Sequence, residues 1–562
     1  MSRSDWPAWL AAMCREFNSL KGRPAWEVKE KLPPGKFAID VRWVFAFKLN
    51  PDGSIRWGEE KARLVVKGFL QRPNDYDETF APVVKLAVVR IVLAITALRD
   101  YDLFSFDIKT AFLHSKLDDE VYIKQIPCFP LDNPEAVLRL LVVLYGLKQA
   151  AFAWYCHFMG ILVKIGLKRC ELDHAFFIGV WNSPPDPSIP MPADGSPLIL
   201  LVPIHVDDGL ASTNSPELYT WFIKQLKAHG IDVVDFGPVS MFLGIRVLRD
   251  RPNRRLWLSQ SPFIQTLLDD WGMDKCRGVA TPMEGFLDDL PDTDVAPFPF
   301  INPDNMKRKY QSLVGSLIYL ATCTRPDIAY VAMSLGRHSA DPKMKHLVAG
   351  KRVLRYLFET IDLVLLYDPL NDIHPSINAF IRSATGFSDA DWASDKLTRI
   401  SISGHVFFYL GGIVAWSSTR QRVIALSSTE SEFYAIVNAM REGLWMRLFL
   451  LICNFPVPQP FPLICDNKST LYQMESPAVG SKSKHVHIRE LFAKQYFADG
   501  TFKAEWVATN VNVADIFTKP LRANLFERHR KALNLVSLSP LSDLTIIVVL
   551  QIGADTMQHL PS

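Results

Sequence analysis

No two of the chain's eight cysteines form a C-x-x-C pair; they stand singly at positions 14, 128, 156, 170, 276, 323, 453 and 465. That spacing excludes a zinc ribbon and a dense disulfide scaffold, and leads us to expect buried free thiols in a reducing compartment. A surplus of one charge is also missing: 62 basic residues face 59 acidic ones, a net +3. With no polybasic tail, any contact with nucleic acid must rest on locally patterned basic groups. Long apolar runs are absent too. The N-terminal MSRSDWPAWLAAMCREF reads as an amphipathic helix without the apolar stretch of a signal peptide. The C-terminal LTIIVVL is far too short to span a bilayer. These absences point to a soluble intracellular protein. What is present is material for cores: 562 residues, 49% hydrophobic, room for three or four domains at roughly 150 residues each.

Three stretches punctuate the chain. NSPPDPSIPMPADGSP (182–197) reads as a long hairpin loop. The acidic, Pro-rich MEGFLDDLPDTDVAPFPFINPDN (283–305) reads as an inter-domain linker. CNFPVPQPFP (453–462) reads as a helix-to-strand loop. Before the linker, WVFAFKLNPDGSIRWGEEKARLVVKGF looks like a hairpin turning at Asp52-Gly53. KLAVVRIVLAITALRD has helical spacing, and LFSFDIKT alternates as a strand. After it, YQSLVGSLIYLA and KMKHLVAGKRVLRYLFET read as helices. Three strands then run from 384 onward. A long helix follows, STESEFYAIVNAMREGLWMRLFL, with a buried stripe at Phe433, Ile436, Val437, Met440 and Leu444. Further strands are read at PLICDN and FKAEWVA.

The chemistry lies in carboxylates. In LVPIHVDDG an apolar strand runs into Asp207 and Asp208, with Asp208-Gly209 read as the turn dipeptide. Asp107 stands in a similar setting at the end of LFSFD. A lone D-D-G is no more than a good turn, but unpaired carboxylates beside a core are costly, and a cation is their natural partner. Two divalent ions need oxygens converging from different strands, and such a pair serves phosphoryl transfer. Four further acids stand out: Asp389, Glu432, Asp466 and Asp515. Each has an ordinary alternative. Thr429 to Glu432 fits a capping box, Asp466-Asn467 a helix N-cap, and Asp515 a helix N-terminus.

These segments resemble the reverse transcriptase–RNase H part of copia-type long-terminal-repeat retrotransposons, from about residue 5 to about 525. The resemblance is carried by WVFAFKLNPDGS, KARLVVKGFLQ, DYDETFAPVVK, FDIKTAFL, LYGLKQA, HVDDGL, TRPDIAY, KRVLRYL, SDADWASD, ALSSTESEFYA, CDNKST, SKHVHIR and NVADIFTKPL. It implies an α+β right-hand polymerase of fingers, palm and thumb, followed by an RNase H-like α/β domain. The implied divisions are an N-terminal helix (1–22), fingers and palm (23–270), linker, thumb and connection helices (271–380), the RNase H-like domain (381–523) and an unassigned tail (524–562). By the same resemblance Asp107, Asp207 and Asp208 hold two Mg²⁺ ions, with Mn²⁺ as the alternative, for addition of dNTPs to a DNA primer on an RNA template. Lys61 and Arg63 are similar to residues that hold dNTP phosphates, and Gln149 to the residue beneath the nucleotide and template. Both cations could equally be ordinary charges on a hairpin. Asp389, Glu432, Asp466 and Asp515 are similar to the four RNase H acids, again with two metal ions, acting on the RNA of an RNA–DNA hybrid. Glu430 is the rival for the place of Glu432. SKSKHVHIRE, with Lys482, Lys484, His485 and Arg489, suits phosphate contacts, or else a solvated helix face.

The chain departs from the family pattern in places. His205 stands where tyrosine is usual, Ala151 and Phe152 replace proline and arginine, and Gly209-Leu210 replaces ILV. None removes a metal ligand. Zinc-knuckle, D-[ST]-G protease and integrase-like motifs are not found, which suggests a processed fragment or the surviving frame of a broken element. Two functions follow: an active RNA-directed DNA polymerase with RNase H, or a weak or inactive remnant that folds and binds nucleic acid. A nuclease-only protein is a third. The implied partners are RNA, DNA, their hybrid and capsid-like particle proteins of the same element, with no membrane. The implied location is cytoplasmic particles, with later nuclear entry.

Overall fold

A computed structural model of the chain describes residues 5–47, 55, 57–370, 384–396, 398–476 and 484–538. They form two compact units, residues 1–85 with 101–239, and residues 86–100 with 240 onward. The boundary differs from the expected one near 270, because the strands after 240 pair with partners far downstream.

The first unit opens with α1 (Trp6–Gly22), whose Ala12, Met13 and Leu20 are buried. A hairpin of β1 (Val41–Ala46) and β2 (Lys61–Val66) pairs Val41 with Val66 and Ala46 with Lys61. Its expected Asp52-Gly53 turn lies outside the described residues. The chain then enters α2 (Leu86–Arg99), which belongs to the second unit, and returns as β3 (Asp102–Ile108). After α3 (Ala150–Ile165) come β4 (Lys168–Arg169), β5 (Phe176–Trp181), β6 (Leu198–His205), β7 (Asp208–Thr213), α4 (Pro216–Ala228) and β8 (Val233–Pro238). The sheet order is β8-β3-β7-β6-β5-β4, all neighbours antiparallel. The 182–197 stretch joins β5 to β6, as expected of a hairpin loop. The apolar run LILLVPIH makes β6 a central strand, buried except at Ile199 and His205. Trp154, Phe158 and Leu162 of α3 and Leu218, Phe222 and Leu226 of α4 form one core with Phe106, Leu200 and Val202 of the sheet.

The second unit contains α5 (Pro303–Cys323), α6 (Met344–Glu359), β9 (Thr385–Asp391), β10 (Ile402–Tyr409), β11 (Gly412–Arg420), α7 (Ser428–Ile452), β12 (Phe461–Cys465), α8 (Lys468–Glu475), α9 (Lys484–Ala498), β13 (Phe502–Trp506) and α10 (Ala523–Ala532). One mixed sheet runs β11-β10-β9-β12-β13, antiparallel at the first two contacts and parallel at the last two. This is an α/β arrangement, with α7 contributing buried Phe433, Ile436, Val437 and Met440, as its periodicity predicts, while Leu444, the last of the expected stripe, is only half-buried. A second sheet joins Met241–Phe242, Ile245–Asp250, Arg255–Ser259, Leu363–Tyr367 and Leu535–Ser537 in that order. α2 is tied into this unit by buried Arg90. Its guanidinium donates to the carbonyls of Val414, Thr322 and Cys323 and lies 3.8 Å from the Trp416 ring centroid.

Two sequence expectations are corrected here. Segment 283–305 is no free linker: Leu287, Phe298 and Ile301 are buried, Phe298 meets Trp271 edge-on at 4.8 Å, and Lys351 donates to Pro297 O at 2.9 Å. The start of the supposed tail is structural as well, since α10 and strand Leu535–Ser537 complete the second unit, with Leu535 opposite Leu365; residues 539–562, including LTIIVVL, lie outside the described residues. Of the eight cysteines, all free, four are buried and Cys128 is exposed, so the expected burial holds for half of them.

The TRPDIAY motif is explained by burial. Arg325, fully enclosed, grips Asp327 through two nitrogens (3.0 and 2.8 Å) and donates to Thr360 O and Oγ1 (3.0 and 2.7 Å). Tyr356 of KRVLRYL donates to the same aspartate at 2.5 Å. Such a pair is weak evidence of net stability when intact, but removing one partner strands a buried charge. Arg325→Met should therefore cost about 3–5 kcal/mol, seen as an earlier denaturant midpoint for the second unit, and Arg325→Lys should recover little because it lacks the fork.

Candidate functional site

The first candidate site is built by strand pairing. β7 pairs with β3 so that Asp208 lies directly opposite Asp107. Asp207 occupies the two-residue turn before β7, and its carbonyl accepts from Ile108 N at 3.1 Å. Three aspartates from two strands and a turn are thus brought to one sheet end, near enough for their charges to act on one another, though among the described residues their oxygens are not gathered within 4.8 Å as those of the second site are. The turn is not the predicted Asp208-Gly209: His205 pairs with Asp208, leaving Val206 and Asp207 as the central residues. Val206 is held at φ +62°, a conformation costly for a β-branched residue. Its carbonyl accepts from Trp154 Nε1 at 2.8 Å, which anchors the turn to α3. Gly209 serves packing instead. A Cβ there would stand 2.1 Å from Cζ of Phe106, so the missing side chain makes room for that ring beneath the acids.

Electrostatics in this cluster are adverse. Burial, then Asp207 and Asp107, pushes the Asp208 carboxyl up to about 6. Burial and Asp207 also raise Asp107, with Lys61 and Arg63 pulling the other way. That places both predicted cations near the acids. Lys61 is exposed on β2, while Arg63 is half-buried and 5.4 Å from the Tyr145 ring centroid. Gln149 is different. It is buried, accepting from Gln71 Nε2 and donating to Asp119 Oδ2, both at 3.0 Å. Its amide is committed to the structure. His205 is half-buried at the end of β6, and Phe152 half-buried on α3.

The second site lies at one end of the mixed sheet. Oxygens of Asp389 (β9), Asp466 (just after β12) and Asp515 (the short helical turn Val513–Phe517) lie within 4.8 Å of one another. Glu432, Cys465 and Asp466 form an overlapping set. The four predicted acids therefore converge, linked through Asp466. For Glu432 and Asp466 the ordinary alternatives fall on neighbouring residues. Helix α7 is capped by Ser427, whose Oγ accepts from Glu430 N, and Glu430 turns back to Leu426 N (2.7 Å) and Tyr434 OH (2.9 Å). Glu430 is the capping acid, and Glu432 is left facing the cluster, buried. Helix α8 is capped by Asn467, which accepts from Thr470 N, and not by Asp466. Asp515 lies in the first turn of its helical segment, capped by Asn512, so the ordinary alternative holds for this acid alongside its place in the cluster.

Burial, then Asp389 and Asp466, holds Glu432 well above the usual carboxylate range. Burial and Asp389 raise Asp466 and Asp515 as well, more than Lys519 offsets at Asp515. Burial pushes neighbouring Asp391 up to about 6. Crowded acids with hard oxygen donors and this surplus of negative charge fit a divalent cation. Sequence reasoning missed three contributors: Thr518, whose Oγ1 donates to Asp389; Lys519, in ion-pair reach of Asp515; and Cys465, whose Sγ lies 3.9 Å from Glu432 Oε2. The i,i+4 spacing of Asp515 and Lys519 was the available signal. Of the predicted basic stretch, Lys482 lies outside the described residues. Lys484 and His485 fall in the first turn of α9. Arg489 lies half-buried, 4.5 Å from the Tyr434 ring centroid. Among the described residues, no helix is long and apolar enough to cross a membrane.

The family model "Reverse transcriptase (RNA-dependent DNA polymerase)" matches residues 24–285. The chain is 33% identical over 524 residues to a retrovirus-related Pol polyprotein from transposon TNT 1-94 of Nicotiana tabacum, covering 92% of this chain and 37% of that protein. It is 30% identical over 338 residues to a transposon Ty5-1 protein of Saccharomyces cerevisiae, covering 60% of this chain and 99% of the relative. Among solved structures, a foamy viral protease-reverse transcriptase in complex with RNA/DNA hybrid matches at TM-score 0.47 and 12% identity, over 89% of this chain and 54% of that one. The chain belongs to the copia-type retrotransposon Pol polyproteins, and residues 24–285 are their reverse transcriptase region. It spans about a third of the length of the plant Pol polyproteins it matches.

Two predictions follow from this geometry. Val206 also packs on the core, so Val206→Asn, which enters the left-handed region readily, should hold stability within about 1 kcal/mol of wild type in denaturant titration, whereas Val206→Ile, bulkier and still β-branched, gains nothing from the turn. In chelator, acids with raised folded-state pKa bind more protons folded than unfolded. The stability they contribute is full below the ordinary carboxylate range and is lost as pH climbs through their folded values. The melting temperature of the chelated protein should therefore fall from about pH 4 to beyond pH 6. Mg²⁺ should reverse the fall, and Asp466→Asn should raise the chelated melting temperature near neutral pH by about 2–4 °C.

Proposed function

We propose that this chain is an RNA-directed DNA polymerase with a fused ribonuclease H. The observation that carries the reading is the placement of Asp208 opposite Asp107 with Asp207 in the adjoining turn; the second convergence at Asp389, Asp466, Asp515 and Glu432 supports the nuclease. In the first site, Asp107, Asp207 and Asp208 would hold two Mg²⁺ ions, with Mn²⁺ as the alternative. In the second, Asp389, Glu432, Asp466 and Asp515 would do so. Such ions supply activation of the attacking oxygen and stabilisation of the leaving one. The protein's own part is to fix carboxylates on strands whose pairing sets their spacing. Lys61 and Arg63 bring positive charge toward the same acids, which suits the triphosphate of a dNTP. Lys482, Lys484, His485 and Arg489 are assigned to hybrid phosphates. The partners are an RNA template, a DNA primer, the hybrid and capsid-like proteins, within cytoplasmic particles.

The competing reading, an inactive remnant, draws on Gln149. Its amide is spent on Gln71 and Asp119, and half-buried Phe152 stands nearby in sequence on the same helix. Primer extension on an RNA template decides between them. Wild-type protein should extend the primer with Mg²⁺, and Asp207→Asn with Asp208→Asn should lose roughly a hundred- to a thousandfold of that rate, or more. Asp466→Asn should lose cleavage of hybrid RNA while extension persists. A folded, hybrid-binding protein that extends nothing overturns the polymerase reading. Cleavage without extension would leave a nuclease alone.

A further inference from the structure

The acid cluster of the second unit contains a cation to which the sequence reading gave no role. Lys519 Nζ stands 3.0 Å from Asp515 Oδ1 and 3.7 Å from Asp389 Oδ2. These are two of the three carboxylates whose oxygens, with one from Asp466, lie within 4.8 Å of one another. Thr518, the residue before it, donates from Oγ1 to Asp389, so that aspartate is fixed from a second side. The lysine side chain keeps 27% of its surface exposed, against 1% for Asp515 and 2% for Asp389. The acids are thus buried in place, while the ammonium sits on a flexible stem with a way to solvent.

A divalent cation bound to Asp389 and Asp515 would compete with that ammonium for the same two carboxylates, and two cations at contact distance from one carboxylate repel. We propose that Lys519 is a resident counter-cation of this site, neutralising Asp389 and Asp515 while no metal is bound and swinging to solvent as metal enters. Asp389 and Asp515 then face a cation in both states. Its metal affinity is lower than the acids alone would give, so loading is favoured only when something else, such as the phosphodiester of a bound strand, adds to the metal's coordination. This inference rests on the reading of the cluster as a metal site.

The test is residue-resolved acetylation of the full-length protein, followed by mass spectrometry across a titration of Mg²⁺ and then Mn²⁺, with solvent-exposed Lys503 as the internal reference. Lys519 should react slowly in chelator and severalfold faster with metal, and Asp466→Asn should abolish the change. In parallel, Lys519→Met should lower the metal concentration giving half the thermal stabilisation by about tenfold, the order expected for removing one like-charge neighbour. Should Lys519→Met fail to fold, the acetylation profile of the wild-type protein stands alone. If metal stabilises the wild type through Asp466 while Lys519 reactivity and the half-point of any folded Lys519 variant stay unchanged, the counter-cation is wrong and the metal site stands. If no Asp466-dependent metal effect appears in either readout, the metal reading of the cluster fails and takes the proposal with it.

Discussion

Like charge held close is the constraint on which both sites depend. Carboxylates repel, and burial makes each ionised one more costly; left to local preferences, they would splay into solvent. Here the backbone forbids it. The β3–β7 ladder sets Asp107 against Asp208 as cross-strand partners, and the parallel pairing of β9 with β12 brings Asp389 and Asp466 to the same sheet end. The sheets supply the energy that opposes the repulsion. Their apolar strands, packed with α3 and α4 in one unit and α7 in the other, cannot slip register by one residue without handing every side chain to the opposite face and its different packing partners.

The details around the first site serve that placement. Phe106 and Gly209 are a matched pair, a ring and the missing Cβ that admits it, and Trp154 holds the turn through a carbonyl rather than through either acid. None of these residues competes for the carboxylate oxygens. In the second unit the same division holds. Ser427, Glu430, Asn467 and Asn512 satisfy helix ends, which leaves Glu432, Asp466 and Asp515 to the cluster.

Much of this was legible in the sequence. The strand LILLVPIHV, the alternation in LFSFD and the stripe on STESEFYAIV reported their elements because burial imposes period and length. The acids were legible because charge at the end of an apolar strand needs a reason. What failed to show was tertiary. Asp-Gly signals a turn by local preference, yet the glycine answers to Phe106, a residue on another strand. The composition of 283–305 reads as linker, while a few anchors, Leu287, Phe298 and Ile301, bind it to the second unit. Glu430 and Glu432 differ by two residues, and only the position of the helix start decides which one caps and which one faces inward. At Gln149 the structure adds what the motif does not carry: the side-chain amide is held by Gln71 and Asp119.

The excursion of α2 out of the first unit has a consequence for how the chain is made. This helix carries ten buried residues in LAVVRIVLAITALR, and Arg90 finds its carbonyls at residues 322, 323 and 414. During synthesis, therefore, an almost wholly apolar helix leaves the ribosome well ahead of the groups that cover it: Arg254 reaches the Leu98 carbonyl from 156 residues downstream, and the carbonyls that Arg90 meets come more than two hundred residues later. Either unit expressed by a cut at its boundary would inherit the same debt. The two units are distinct in space but not successive in the chain, so the second cannot be completed by material from its own end alone.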